Sequence, residues 1–142
     1  MPKYEGAAQV AVTIFEAWNA KDYDRGVSVL ADDFEVIEVA TGESFRGARG
    51  LLDEYRKWHA AVSDGWIDIK TVISSGGTVA METVVRGTHD GAFPMPSGDI
   101  PPSGNKLEFE MCTISHVRDE KELVLERHYF DMDSMLRQLG AE

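Results

Sequence analysis

The sequence has a single cysteine, Cys112, so no internal disulfide can form, and no Cys/His cluster has the spacing of a zinc site. That usage fits a reducing compartment. Long apolar runs are also missing: the opening MPKYEGAAQVAV lacks the hydrophobic stretch of a signal peptide, and no later run approaches the ~18 residues of a spanning helix. The expectation is a soluble, cytoplasmic protein. Positive charge is scarce, with 14 Lys and Arg against 25 Asp and Glu and a net charge of −11. This excludes nucleic acid and anionic membrane as natural partners, since binding phosphate needs a cationic surface. No phosphate-cradling glycine loop, Ser or Cys nucleophile signature or metal-ligand set occurs, which leaves acid/base chemistry without cofactor or metal, or no chemistry.

What is present is ordinary globular material. At 142 residues, 43% hydrophobic and 27% charged, the chain is long enough for one domain, 1–142, that buries roughly 70% of its unfolded surface. From Glu5 to Ala20 the apolar residues Ala7, Val10, Ala11, Ile14, Phe15 and Trp18 recur at helical intervals. A short second helix is expected from Tyr23 to Leu30, then a turn at Asp32 and Asp33 and a strand from Phe34 to Val39 that ends by Gly42. Leu51, Leu52, Tyr55, Trp58, His59 and Val62 share one face of a third helix between Gly47 and Gly65.

From Trp66 to Phe130 the β-branched runs WIDIKTVI, TVAMETVVRGTH, KLEFEMCTISHV and LVLERHYF predict four strands in an antiparallel meander, followed by a terminal helix. The order is that of an α+β fold, helices packed on one face of a curved antiparallel sheet. Between the second and third of these runs lies GAFPMPSGDIPPSGN, residues 91–105, whose four prolines disfavour helix and central strand and suggest a lip over a site.

Period-two alternation puts Val79, Met81 and Val85 on one face, with Leu107, Phe109, Met111 and Val117 doing the same in the next strand. Glu108, Glu110, Cys112, Ile114 and His116 take the opposite face. In the last strand Val124, Glu126, His128 and Phe130 oppose Leu125, Arg127 and Tyr129. Neither face is cleanly polar, which predicts cover on both sides, one side by the helices and the other by a second subunit in a homodimer.

Two titratable residues stand out. His128 lies in mid-strand and carries the side chain best suited to take and give a proton near neutrality. Glu38 is flanked by Ile37 and Val39, where burial would make it a usable base. The plainer alternatives are a hydrogen-bonded strand histidine and an outward-facing glutamate. Glu126 meets His116 only if the DEKE connection has the right parity. Arg86 and His89 read as partners of the many acids, and Phe15, Trp18, Tyr55 and Trp58 as core aromatics that also line a cavity.

The segments FRGARGLLDEYRKWHAAVSDG, RGTHDGAF, IPPSGNKLEF and ERHYFDMDSMLRQLG together resemble the SnoaL-like polyketide cyclases of the nuclear-transport-factor-2-like superfamily. The resemblance runs from about Phe45 to Gly140. It implies a cone-shaped, cystatin-like α+β fold with an apolar pocket between helices and sheet, dimerisation through the outer sheet face, and cofactor-free aldol ring closure by a carboxylate acid/base. Against ketosteroid isomerase, DDFEVIEV places Glu38 where that family keeps its proton-shuttling aspartate. Against limonene epoxide hydrolase, RHYFDM puts His128 where an aspartate activates water, while Thr83 and Val85 stand near the positions of the Arg and Asp that epoxide hydrolysis requires.

The residues thus expected to act are His128 as main acid/base and Glu38 as second proton carrier. Phe15, Trp18, Tyr55, Trp58, Cys112, His116, Glu126 and Phe130 are expected to contact a small apolar substrate, polyketide or steroid-like. The competing expectation is a non-catalytic module of the same fold that binds a hydrophobic small molecule or a second protein domain.

Overall fold

The computed structural model describes residues 4–141. The chain runs α1 (Gly6–Asn19), α2 (Tyr23–Val27), β1 (Leu30–Glu38), β2 (Glu43–Arg46), α3 (Gly47–Ala61), β3 (Trp66–Ser75), β4 (Thr78–Thr88), β5 (Lys106–Arg118), β6 (Glu122–Phe130) and α4 (Met132–Gln138). The strands form one curved, unclosed sheet in the order β2-β1-β6-β5-β4-β3. Neighbours pair antiparallel except β1 and β6, which run parallel. Helices α1 and α3 pack against it, giving the expected α+β architecture. Among the described residues no helix is long and apolar enough to cross a membrane.

Helix α1 is the centre of the core. Most of its 14 residues are buried, including Ala11, Val12, Ile14, Phe15 and Trp18, as expected of a helix that is apolar nearly all round. Its alanines let the sheet close on it. At its C-terminal end Asn19 imitates a neighbouring strand: the side-chain amide donates to the Ile67 carbonyl at 2.9 Å and accepts from the Ile67 N–H at 2.8 Å. Helix α3 is tied to α1 by the Tyr55 hydroxyl, which donates to the Ile14 carbonyl at 2.5 Å, and by the Trp18 indole N–H, which donates to the Tyr55 carbonyl at 3.3 Å.

Three elements differ from the sequence expectation. Helix α2 ends at Val27 rather than Leu30, because the chain enters β1 at once and Val29 accepts a backbone bond from Leu123 at 2.7 Å. The turn expected at Asp32 and Asp33 is instead an irregularity inside β1, where the register on β6 shifts between Leu30 and Glu35. Beyond Gly42, whose φ of 78° turns the chain, the additional strand β2 folds back on β1. β2 is short and mostly exposed, so it lacks the apolar alternation by which strands are recognised.

The proline-rich segment packs down over the end of α3. Asp90 and Gly91 both donate backbone bonds to the Ala61 carbonyl at 3.0 Å, and Phe93 and Ile100 exchange a pair of backbone bonds. Phe93 is buried and meets the Trp58 ring edge-on at 4.9 Å. At the base of the segment His89 is fully buried and holds Ser103 through Nδ1, 2.9 Å from its hydroxyl. Gly91 is required for space: a Cβ there would lie 1.8 Å from the Ala60 carbonyl oxygen. Gly91→Ala should therefore lower the unfolding free energy by roughly 1–3 kcal/mol in denaturant titration. A variant as stable as wild type would mean that the segment does not rest on α3.

Candidate active site

The parallel pairing of β1 with β6 sets Val36 beside Glu126 and Glu38 beside His128. On the other flank of β6, Ser115 and Thr113 of β5 lie opposite Glu126 and His128. One residue in each of these pairs fixes the face of the other, so Glu38, Thr113, Ser115, Glu126 and His128 all point inward, and all are buried. The frame is set by an extra residue in β6: Val117 pairs with Leu123 but His116 with Leu125, leaving Val124 bulged. Leu123, not Val124, thus takes the inward position and is fully buried.

Glu38, Glu126 and His128, with Glu54 of α3, border a cavity of about 80 Å³ between the sheet, α1 and α3. Its remaining walls are apolar, among them Phe15, Trp18, Tyr55, Trp58, Phe109 and Phe130. The Trp18 wall is braced from behind by His59, whose ring stacks on the indole at 4.0 Å and whose Nδ1 shares a 2.5 Å hydrogen bond with the Tyr23 hydroxyl. Burial, helped by the charge of Lys21, depresses the His59 pKa to about 4, so this imidazole stays neutral.

Three glutamates and a histidine meet in the cavity. His128 is bonded at both nitrogens, Nδ1 to the Thr113 hydroxyl at 2.8 Å and Nε2 to Glu126 Oε1 at 3.1 Å. Burial alone would lower its pKa, but Glu126, then Glu38 and Glu54, outweigh it and raise the value to about 9. His128 is therefore an imidazolium at neutral pH, anchored against a carboxylate. Glu38 Oε2 and Glu126 Oε2 are buried without a hydrogen-bond partner among the described residues, as is the Ser115 hydroxyl. Each such orphan costs about 1–3 kcal/mol, more for a charged group, a burden that packing alone does not explain.

The fourth group, Glu54 of α3, was not singled out from sequence. Yet it stands three residues after Leu51 and four before Trp58, on the buried stripe of that helix, and a carboxylate on such a stripe is the signal that marks it. It is only 7% exposed, lines the cavity, and comes within hydrogen-bonding reach of Glu38. Lys57 holds its Oε1 at 2.8 Å. Burial raises its pKa to about 7, Lys57 opposing and Glu38 adding to the rise.

Of the residues expected to contact a substrate, Phe15, Trp18, Tyr55, Trp58, Glu126 and Phe130 border the cavity with Glu38 and His128. Cys112 and His116 do not. Both lie on the opposite face of β5, where His116 hydrogen-bonds Thr78 at 3.3 Å, and the β6 bulge leaves His116 opposite Leu125 instead of Glu126. Arg86 pairs with Asp68 at 2.7 Å on the same outer face. Although three glutamates and a histidine share the cavity, no three such donors among the described residues are arranged to hold a metal ion.

The raised His128 pKa makes folding pH-dependent. The folded state binds this proton more tightly than the unfolded chain, so its contribution is full below about 6.5 and is lost as pH rises through about 9. The unfolding free energy of wild type relative to His128→Gln should accordingly fall between pH 6.5 and 9, by up to about 3 kcal/mol, measured by denaturant titration at each pH. A difference independent of pH would show that His128 is neutral in the fold.

Residues 8–139 match the family profile of the SnoaL-like polyketide cyclases. Among solved structures, a proposed SnoaL-like polyketide cyclase of Jannaschia sp. CCS1 superposes with a TM-score of 0.83 at 17% identity, covering 96% of this chain and 92% of that one. IdmH of Streptomyces antibioticus, a proposed polyketide cyclase, gives 0.77 at 26% identity over 94% and 98% of the two chains. A protein of ketosteroid isomerase-like fold from Catenulispora acidiphila, solved with trimethylamine, gives 0.76 at 20% identity over 93% and 92%. No curated protein matches the sequence. With the profile spanning nearly the whole chain and the fold shared with these structures, the chain belongs to the SnoaL-like polyketide cyclase family.

Proposed function

We propose that the cavity catalyses proton abstraction next to a carbonyl in a small apolar compound, polyketide or steroid-like, leading to aldol ring closure or double-bond isomerisation. The observation that carries this reading is the buried Glu38 carboxylate, with one oxygen unpartnered in an apolar cavity beside the His128–Glu126 pair. A neighbouring fixed positive charge stabilises the enolate that such a carboxylate creates.

In this scheme the main base is Glu38. His128, expected from sequence to be the principal acid/base, has both nitrogens engaged, which leaves no lone pair directed at substrate. Its imidazolium instead faces the developing negative charge. Glu38 takes the α-proton, the electrons of the C–H bond move into the enolate, and the enolate carbon then attacks a second carbonyl or takes the proton back at another carbon. A volume of about 80 Å³ admits a reacting fragment of a few heavy atoms, so a larger substrate would place its remainder at the rim, near Trp58 and Phe130.

The outer sheet face supports a homodimer: Trp66, Ile73 and Tyr129 are exposed there, and Ile114 and Leu125 only half-covered. The small cavity volume also favours a second reading, a module that binds a small hydrophobic ligand without turning it over.

Deuterium exchange at the α-carbon of a small ketone decides between them. In D2O, wild-type protein should accelerate exchange into cyclopentanone, followed by proton NMR, and Glu38→Gln should lose ~10²- to 10⁴-fold of that acceleration. Equal rates for wild type and variant would leave the binding module as the better description.

A further inference from the structure

Glu54 is the carboxyl of the cavity that the scheme above leaves unused. It is buried, borders the same space as Glu38, and is within hydrogen-bonding reach of that carboxyl. Two carboxylates that close repel, so the pair is stable only with a proton between them. Three charged or titratable side chains bear on Glu54: Glu38 from β1, His128 from β6, and Lys57 from its own helix, while Glu126 of β6 lines the same cavity. Lys57 is itself fixed, its ammonium 5.6 Å from the Phe45 ring centroid and 5.7 Å from that of Phe93.

We propose that Glu54 is a second catalytic carboxyl, which donates its proton to the substrate carbonyl oxygen while Glu38 removes the proton from the adjacent carbon. The proposal rests on the function proposed above. Lys57 bonds one oxygen of Glu54, Oε1, which leaves Oε2 to carry the proton. The substrate class follows: a ketone or aldehyde whose α-hydrogen and carbonyl oxygen are presented on the same side, toward neighbouring carboxyls.

The step balances without a further reactant. The C–H bond breaks toward Glu38, the carbon–carbon double bond forms, and the carbonyl oxygen gains the Glu54 proton to give a neutral enol. Glu38 is then the acid and Glu54 the base of the same hydrogen-bonded pair. As the enol carbon attacks an acceptor carbonyl or is reprotonated, Glu54 takes back the enol O–H proton and Glu38 gives its proton to the acceptor oxygen or to carbon, restoring the starting state. Making a neutral enol rather than an enolate avoids placing a new negative charge beside carboxylates. The site fits this role, since burial raises the pKa of Glu54 to about 7 and Lys57 opposes the rise.

Two readouts test it. In protein labelled with 13C at the glutamate carboxyls, NMR titration should show Glu54 holding its proton up to about pH 7, and Lys57→Met should move that midpoint upward. In cyclopentanone exchange, wild type should lose rate above pH 7. Glu54→Gln should be at least 10-fold slower and free of that decline, and Glu54→Leu at least 100-fold slower. Ionisation of Glu54 well below pH 7 would overturn the proposal, as would Glu54 variants that keep the wild-type rate and profile while Glu38→Gln is impaired. Absence of Glu38-dependent exchange in wild type would overturn the proposed function and this role together.

Discussion

The parallel pairing of β1 with β6 is the constraint on which the rest of the site depends. It joins the first strand to the last, with the Val39 N–H donating to the His128 carbonyl at 3.0 Å, and fixes Glu38 and His128 as cross-strand neighbours on one face. A one-residue slip would turn every side chain of one strand outward and separate them. Because β6 is covered by strands on both edges and by helices on its inner face, the acid and imidazole it carries are buried whether or not they are paired. That is why Glu126, Arg127 and His128 can occupy consecutive strand positions: the middle one points to solvent, the outer two to the cavity.

Buried charge and apolar packing oppose each other here. Phe15, Trp18, Tyr55 and Phe109 are each nearly fully buried, and a side chain of that size stabilises a fold by about 1.5–3 kcal/mol or more. Against this stand unpartnered oxygens on Glu38 and Glu126 and a protonation demand on Glu54. Helix α1 makes the combination sustainable, because its apolar surface closes the cavity while the Asn19 and Tyr55 hydrogen bonds hold its distance from the sheet. The ionisable groups are thus held in place by packing, which is the condition for fixed charges to act on a reacting molecule.

Much of the fold was legible from periodicity: α1 and α3 from their three- and four-residue intervals, β4 to β6 from alternation. The element order and the family resemblance supplied the layer arrangement, and Glu38 and His128 were visible as polar residues at apolar positions. Three features escaped for physical reasons. β2 is too short and exposed to show a pattern. The faces of His116 and Glu126 depend on a bulge at Val124, and no local residue preference announces it. Glu54 was hidden because surface helices abound in glutamates, and only its phase relative to Leu51 and Trp58 sets it apart.

The central claim is that a buried carboxylate at position 38 takes the proton, and chemical rescue tests it most directly. In Glu38→Ala, added acetate should restore part of the α-exchange of cyclopentanone in a concentration-dependent, saturating manner, while leaving the wild-type rate unchanged. Exchange in Glu38→Ala as fast as wild type, or a lost rate that acetate leaves lost while the variant remains folded, would contradict it.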